Sequence, residues 1–144
     1  MQKLNKIIRV IDANLNRAKE GLRVVEEIAR FILEDRLLTE SVKSIRHKIR
    51  TLSKNLIKTD LLLESRDSCG DIGKDIRADE LKRKDIPDIF YANIQRVKES
   101  IRVLEEFSKI IDKNSSTGFK RMRYSLYEIE KKAVKRIAAL SNSR

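Results

Sequence analysis

Apolar residues recur along the first segment at Ile8, Ile11, Leu15, Ala18, Leu22, Val25, Ala29 and Ile32, a spacing of 3,4,3,4,3,4,3. Such a seam predicts an amphipathic helix over about residues 4–34, packed at a shallow angle on its neighbours. Asp35 and Arg36 make a short link, with Thr39 as the expected cap of the next helix. That helix carries Leu38, Val42, Ile45, Ile49, Leu52 and Leu56 on one face. A short link between two long helices predicts an antiparallel hairpin. Residues 59–89 break the pattern: they read as a polar crossover loop with a short helix near 78–84. Pro87 suits the first turn of a third helix. That helix turns Phe90, Ile94, Val97, Ile101, Leu104 and Ile111 inward, KNSSTG (113–118) reads as a turn, and a fourth helix comes next with Phe119, Met122, Leu126, Ile129, Ala133 and Ile137 or Leu140.

The third helix repeats the first. Residues 13–27, ANLNRAKEGLRVVEE, return as 92–106, ANIQRVKESIRVLEE, at an offset of 79 and with nine of fifteen positions identical. Seven of the identical pairs are polar: Asn14/Asn93, Arg17/Arg96, Lys19/Lys98, Glu20/Glu99, Arg23/Arg102, Glu26/Glu105 and Glu27/Glu106. The apolar positions between them drift while staying apolar. A packing stripe needs only hydrophobic residues of suitable volume, so retained polar identity points to chemistry. The fourth helix echoes the second at an offset of 77, as in Arg46/Arg123 and His47/Tyr124. The fold expected is therefore all-α: a four-helix bundle made from a duplicated antiparallel hairpin with one long crossover. It forms a single domain over 1–144, with hairpins 4–58 and 90–140 and crossover 59–89.

Composition narrows the function without fixing it. Thirty-three Lys and Arg against 22 acids give a net charge of +11, which suits polyanionic partners: nucleic acid, an anionic surface or phosphorylated small molecules. The absence of Trp and only seven Phe and Tyr count against a single-strand binder built on stacking. No apolar run approaches the ~20 residues that span a bilayer. One cysteine, Cys69, has no internal partner, which fits a reducing cytoplasm.

Candidate chemistry lies beside the stripes. Asn14 sits about 60° and Arg17 about 120° from the centre of the first stripe, with Glu26 about 60° to the other side. Groups at such angles border the core and can aim into a groove. Arg17 and Arg96 suit phosphate, because a guanidinium binds its oxygens in a fixed, bidentate way. Arg46 and Arg123 border the second and fourth stripes, so four arginines could converge. Against this stands an ion-pair ladder, Glu20–Arg23, Arg23–Glu27 and Glu26–Arg30. Asn is a poor interior helix residue, so the retention of Asn14 and Asn93 favours a ligand or an amide network. The loop SRDSCGDIGKD (65–75) supplies Arg66, Asp67, Asp71 and Lys74 around two glycines, the mixture found near a magnesium-bound phosphate. His47, replaced by Tyr124 in the second copy, is read as a polar contact and not as a base.

RVIDANLNRAKEGLRVVEEIARF, SIRHKIR, SRDSCGDIG, ANIQRVKESIRVLEEFSK and FKRMRYSLYEIE resemble, in that order, the small helical hydroxymethylpyrimidine phosphate kinases of thiamine biosynthesis. The resemblance covers about residues 7–135. It implies ATP- and Mg²⁺-dependent conversion of 4-amino-5-hydroxymethyl-2-methylpyrimidine phosphate to the diphosphate, by a form of the domain that stands apart from thiamine phosphate synthase. With that reaction in view, Arg17, Arg96, Arg66 and Asp71 become the catalytic candidates. Asn14, Asn93, Arg46, Arg123, Glu20, Glu99, Arg23 and Arg102 become substrate ligands. Asp71, Glu20 and Glu99 become the Mg²⁺ ligands. A homodimer and a complex with the synthase stay open as partners. The alternatives are a non-catalytic partner of that synthase and a basic nucleic-acid binder.

Overall fold

The apolar stripes are buried, and burying them sets the architecture. The computed structural model describes residues 2–75 and 81–142. Its helices are α1 (Gln2–Glu27), α2 (Arg36–Leu56), α3 (Thr59–Ser65), α4 (Ile86–Ser108) and α5 (Lys113–Asn142). Among the described residues there is no strand. The four long helices pack as neighbours, α1 on α2 and α4, and α5 on α2 and α4, while α3 lies on α1. Their stripes form one core in which Ile11, Leu22, Ile49, Phe90, Leu104 and Phe119 are wholly shielded.

Two contacts fix the directions. Arg136, near the end of α5, donates to the Leu33 carbonyl and pairs with Asp35, in the link between α1 and α2. At the other end, a Cβ on Gly118 would lie 2.8 Å from Leu52. So α5 runs parallel to α1, and α4 runs antiparallel to it. At the α1–α4 crossing a Cβ on Gly21 would meet Val97 at 2.6 Å and the Asn93 carbonyl at 3.1 Å. Only glycine allows this approach. Its counterpart in the repeat, Ser100, is also small and buried.

Several sequence expectations need correction. The spacing carries the first stripe through Ile32, but residues 28–32 are π-helical, with the Leu33 amide reaching the Ile28 carbonyl at 2.9 Å. The wider turn inserts one residue and rotates the chain beyond it. Leu33 takes the core position at 6% exposure, and Ile32 is 41% exposed. Glu34 then adopts a left-handed φ of 50°, which closes the segment. Asp35, not Thr39, caps α2: its carboxylate accepts from the Leu38 amide, while the Thr39 hydroxyl donates to the Asp35 carbonyl. KNSSTG is no turn but the start of α5. Asp112 accepts from the Asn114 and Ser115 amides and the Ser115 hydroxyl, an N-cap that pulls this polar segment into the helix.

The crossover opens with α3 instead of a loop, because Leu62 finds a buried site. α4 begins four residues before Phe90, capped by Asp85 with Pro87 in its first turn. Of the short helix expected near 78–84, residues 78–80 lie outside the described residues, and 82–84 are not helical.

Candidate functional site

The site is built on α1, whose outward face meets the segment after α3. Asp12 is buried, and Arg66 closes on it as a two-pronged fork, Nε to Oδ2 and Nη2 to Oδ1, both 2.8 Å. The Asp12 carboxylate, by hydrogen bond first and charge second, holds the Arg66 guanidinium above its ordinary pKa. Arg9 adds a bond to the Asp67 carbonyl at 2.9 Å. The loop is shaped internally by Asp67, which accepts from the Gly70 amide, and by Asp71, which accepts from the Gly73 amide. Lys74 donates to the carbonyl of Cys69, an exposed free thiol.

Between this loop and α1 lies an open groove of about 730 Å³. It gathers Asn14, Arg17, Glu20, Arg66 and Asp71, five of the residues singled out in the sequence. Arg66 is committed to Asp12 and so positions the loop. Asn14 donates its amide to the Val10 carbonyl at 2.9 Å, which leaves its side-chain oxygen available.

A second groove, about 530 Å³, lies farther along α1, beside the start of α2. Here buried Glu26 is held by Arg23 at 3.1 Å and by Arg46 at 3.2 Å. The same triad recurs in the second copy. Glu105 is buried between Arg102 at 3.1 Å and Arg123 at 2.9 Å, and Arg102 also pairs with Glu106. Burial pushes the Glu105 carboxyl up, but hydrogen bonds and charge from Arg123 and Arg102 outweigh it and hold it below its usual range. Glu105 in turn holds Arg123 above the usual arginine range.

The four arginines expected to converge are therefore parted: Arg46 and Arg123 are captured by the buried glutamates of the two copies. The ladder is also different from that expected, with Arg23 on Glu26. Asn93 repeats Asn14, donating to the Ile89 carbonyl at 2.8 Å. Glu99 is exposed on α4 and accepts from Gln95.

Arg17 and Arg96 behave otherwise. Both are exposed, and among the described residues neither has a hydrogen bond or ion pair. Because α1 and α4 run antiparallel and cross at Gly21, the rise of an α-helix puts the two at heights within roughly 5 Å of each other.

Asp12 and Arg9 escape a search for retained pairs. Asp12 has Tyr91 at its repeat position and Arg9 has Asp88, so the repeat passes over them. Among the described residues no three His, Cys, Asp or Glu side chains converge as a metal cluster. Nor is any helix there long and apolar enough to cross a membrane.

Comparison with known proteins places the chain in a family. A thiamine-phosphate synthase of Synechocystis sp. is 42% identical over 125 residues, which are 86% of this chain and 35% of that protein. The synthase of Rhodopirellula baltica is 36% identical over 136 residues, 94% of this chain and 36% of its own length. That of Nostoc punctiforme is 38% identical over 125 residues, 86% and 34%. The chain thus spans about a third of the curated relatives it matches. No solved structure matches it. The ThiD2 family pattern covers residues 9–132, taking in both copies of the repeat and the loop between them, and the chain belongs to the ThiD2 family.

Proposed function

We propose that this chain acts in thiamine biosynthesis as an ATP-dependent kinase, converting 4-amino-5-hydroxymethyl-2-methylpyrimidine phosphate to the diphosphate on a four-helix scaffold made by duplication of one hairpin. The observation that carries this reading is what remains after structural duties are subtracted from the repeat. Asn14/Asn93 serve their own helices, and Glu26/Glu105 with Arg23/Arg102 serve the buried triads. Arg17 and Arg96 are left as retained, exposed guanidinium groups with no partner among the described residues, and phosphate oxygens are the ligand such groups suit.

In this reaction a phosphate oxygen, already anionic near pH 7, attacks the γ-phosphorus of ATP. The bond to the β-phosphate oxygen breaks, and ADP leaves. No general base is needed, which accords with a chain whose one histidine is exposed. Positioning and charge neutralisation dominate such transfers. Arg17 and Arg96 would hold the phosphates, and the Asn14 amide oxygen would accept from the aminopyrimidine. Glu20 and Asp71, both on the wall of the loop groove, fit Mg²⁺, which takes one or two carboxylates plus substrate phosphates. When bound, the ion would neutralise charge on the β- and γ-phosphates.

The test is incubation of the purified chain with Mg-ATP and the pyrimidine monophosphate, with ADP release as the readout. Folded protein that releases no ADP overturns the kinase reading. A second reading, a non-catalytic partner of a thiamine-phosphate synthase, draws support from the names its relatives carry and from the third of their length that this chain spans. It requires an inactive chain that forms a measurable complex with the synthase.

A further inference from the structure

The two copies differ where the captured arginine emerges. Beside Arg46 on α2 stand His47 and Arg50, whereas beside Arg123 on α5 the corresponding positions are Tyr124 and Tyr127. Both tyrosines are large exposed residues, at 57% and 41%. Their rings meet edge to face, 5.9 Å apart at 84°, and so form an L-shaped corner. Arg123 lies 5.3 Å from the Tyr124 ring centre, and the Lys98 ammonium lies 5.8 Å from that of Tyr127.

None of these groups is loose. Arg123 is fixed by buried Glu105 and donates to the Tyr127 hydroxyl at 3.2 Å, and Lys98 is anchored on Glu130 at 2.7 Å. The other exposed aromatics are built differently: Phe31 has only Arg30 over it, and Tyr91 leans on Phe90.

We propose that this corner is a nucleobase site: Tyr124 and Tyr127, with Arg123 and Lys98 each over one ring face, stack the purine ring of a nucleoside di- or triphosphate. The inference rests on the kinase reading and assigns the second copy to the nucleotide. A flat aromatic ring has a face for one tyrosine and an edge for the other. The chain's net charge of +11 suits the negative charge such a ligand carries. A second copy of this chain suits the corner poorly, since each copy carries a net charge of +11. A single corner also falls short of the row of stacking platforms that single-stranded nucleic acid uses.

Calorimetric titration of the whole chain with ADP and, separately, with inorganic pyrophosphate tests this directly. The wild type should bind ADP at least about tenfold more tightly than pyrophosphate, the gain a stacked base provides. The Tyr124→Ala/Tyr127→Ala variant should lose that preference while binding pyrophosphate as before, and Tyr124→Phe/Tyr127→Phe should keep it. Equal wild-type affinity for the two ligands overturns the proposal without any variant, as does an ADP preference that survives the double alanine change. Turnover with an unaltered KM for ATP in that variant removes the base site and leaves the kinase standing. A chain that binds ADP through the tyrosines yet transfers no phosphate does the reverse.

Discussion

The segments 13–27 and 92–106 share most of their polar residues yet stand in different surroundings. In the first copy the outward face of α1 meets a loop pinned by Asp12 and Arg66, and a groove results. In the second copy Tyr91 replaces Asp12, and the neighbouring helix offers two tyrosines around the captured arginine. Shared letters thus divide into two kinds. The Asn–carbonyl bonds and the Arg–Glu–Arg triads are self-contained devices that any copy of this hairpin needs. Arg17 and Arg96 have no such partner among the described residues, so the comparison isolates them.

Removing either guanidinium tests that isolation most severely. Arg17→Ala and Arg96→Ala should each lower kcat/KM by about a hundredfold or more, the usual scale for a group that stabilises developing phosphate charge, with thermal unfolding unchanged. If only one of them matters, the copies are not partners in one site. Next come the triads. Glu26→Ala and Glu105→Ala should each cost about 1–3 kcal/mol in urea unfolding, because a partly shielded arginine loses its hydrogen-bonded counter-charge. Unequal losses would show that one copy is the structural anchor.

At the crossing, Gly21→Ala should cost about 1–3 kcal/mol, since its Cβ would press on Val97, a stiff β-branched side chain, and on backbone. The corresponding change on α5, Gly118→Ala, meets only the flexible end of Leu52. Helix propensity offsets that contact, so the net change should stay within about 1 kcal/mol.

A smaller effect concerns acid. Glu105 is held below its ordinary pKa in the fold. Its contribution is therefore complete above the unfolded carboxylate value, ~4.5, and is lost as pH falls through the folded one. Melting temperature measured from pH 7 to pH 3 should fall less steeply in Glu105→Gln than in wild type. Parallel curves would mean that the triad carries no proton linkage.

The helices were legible because their signal is periodic and the stripes run long. What escaped was local hydrogen-bond competition. The Asp112 carboxylate drew KNSSTG into α5, and a π segment moved the core from Ile32 to Leu33 without altering the spacing visible up to Ala29. For the site, the repeat found Arg17, Glu20 and Asn14, and the glycine-flanked loop found Arg66 and Asp71. Neither signal reaches Asp12, whose role depends on a residue 54 positions away. Retained polar identity does not by itself mark chemistry, since the Arg23/Arg102 and Glu26/Glu105 pairs build the buried triads of the scaffold.

The lone thiol gives this loop a practical use. Cys69 is the chain's only cysteine and is exposed on the segment that walls the groove. A maleimide fluorophore or spin label will therefore attach at one place without mutagenesis. Its signal would track the distance between loop and α1 as ligands are added, and give the timing of substrate entry.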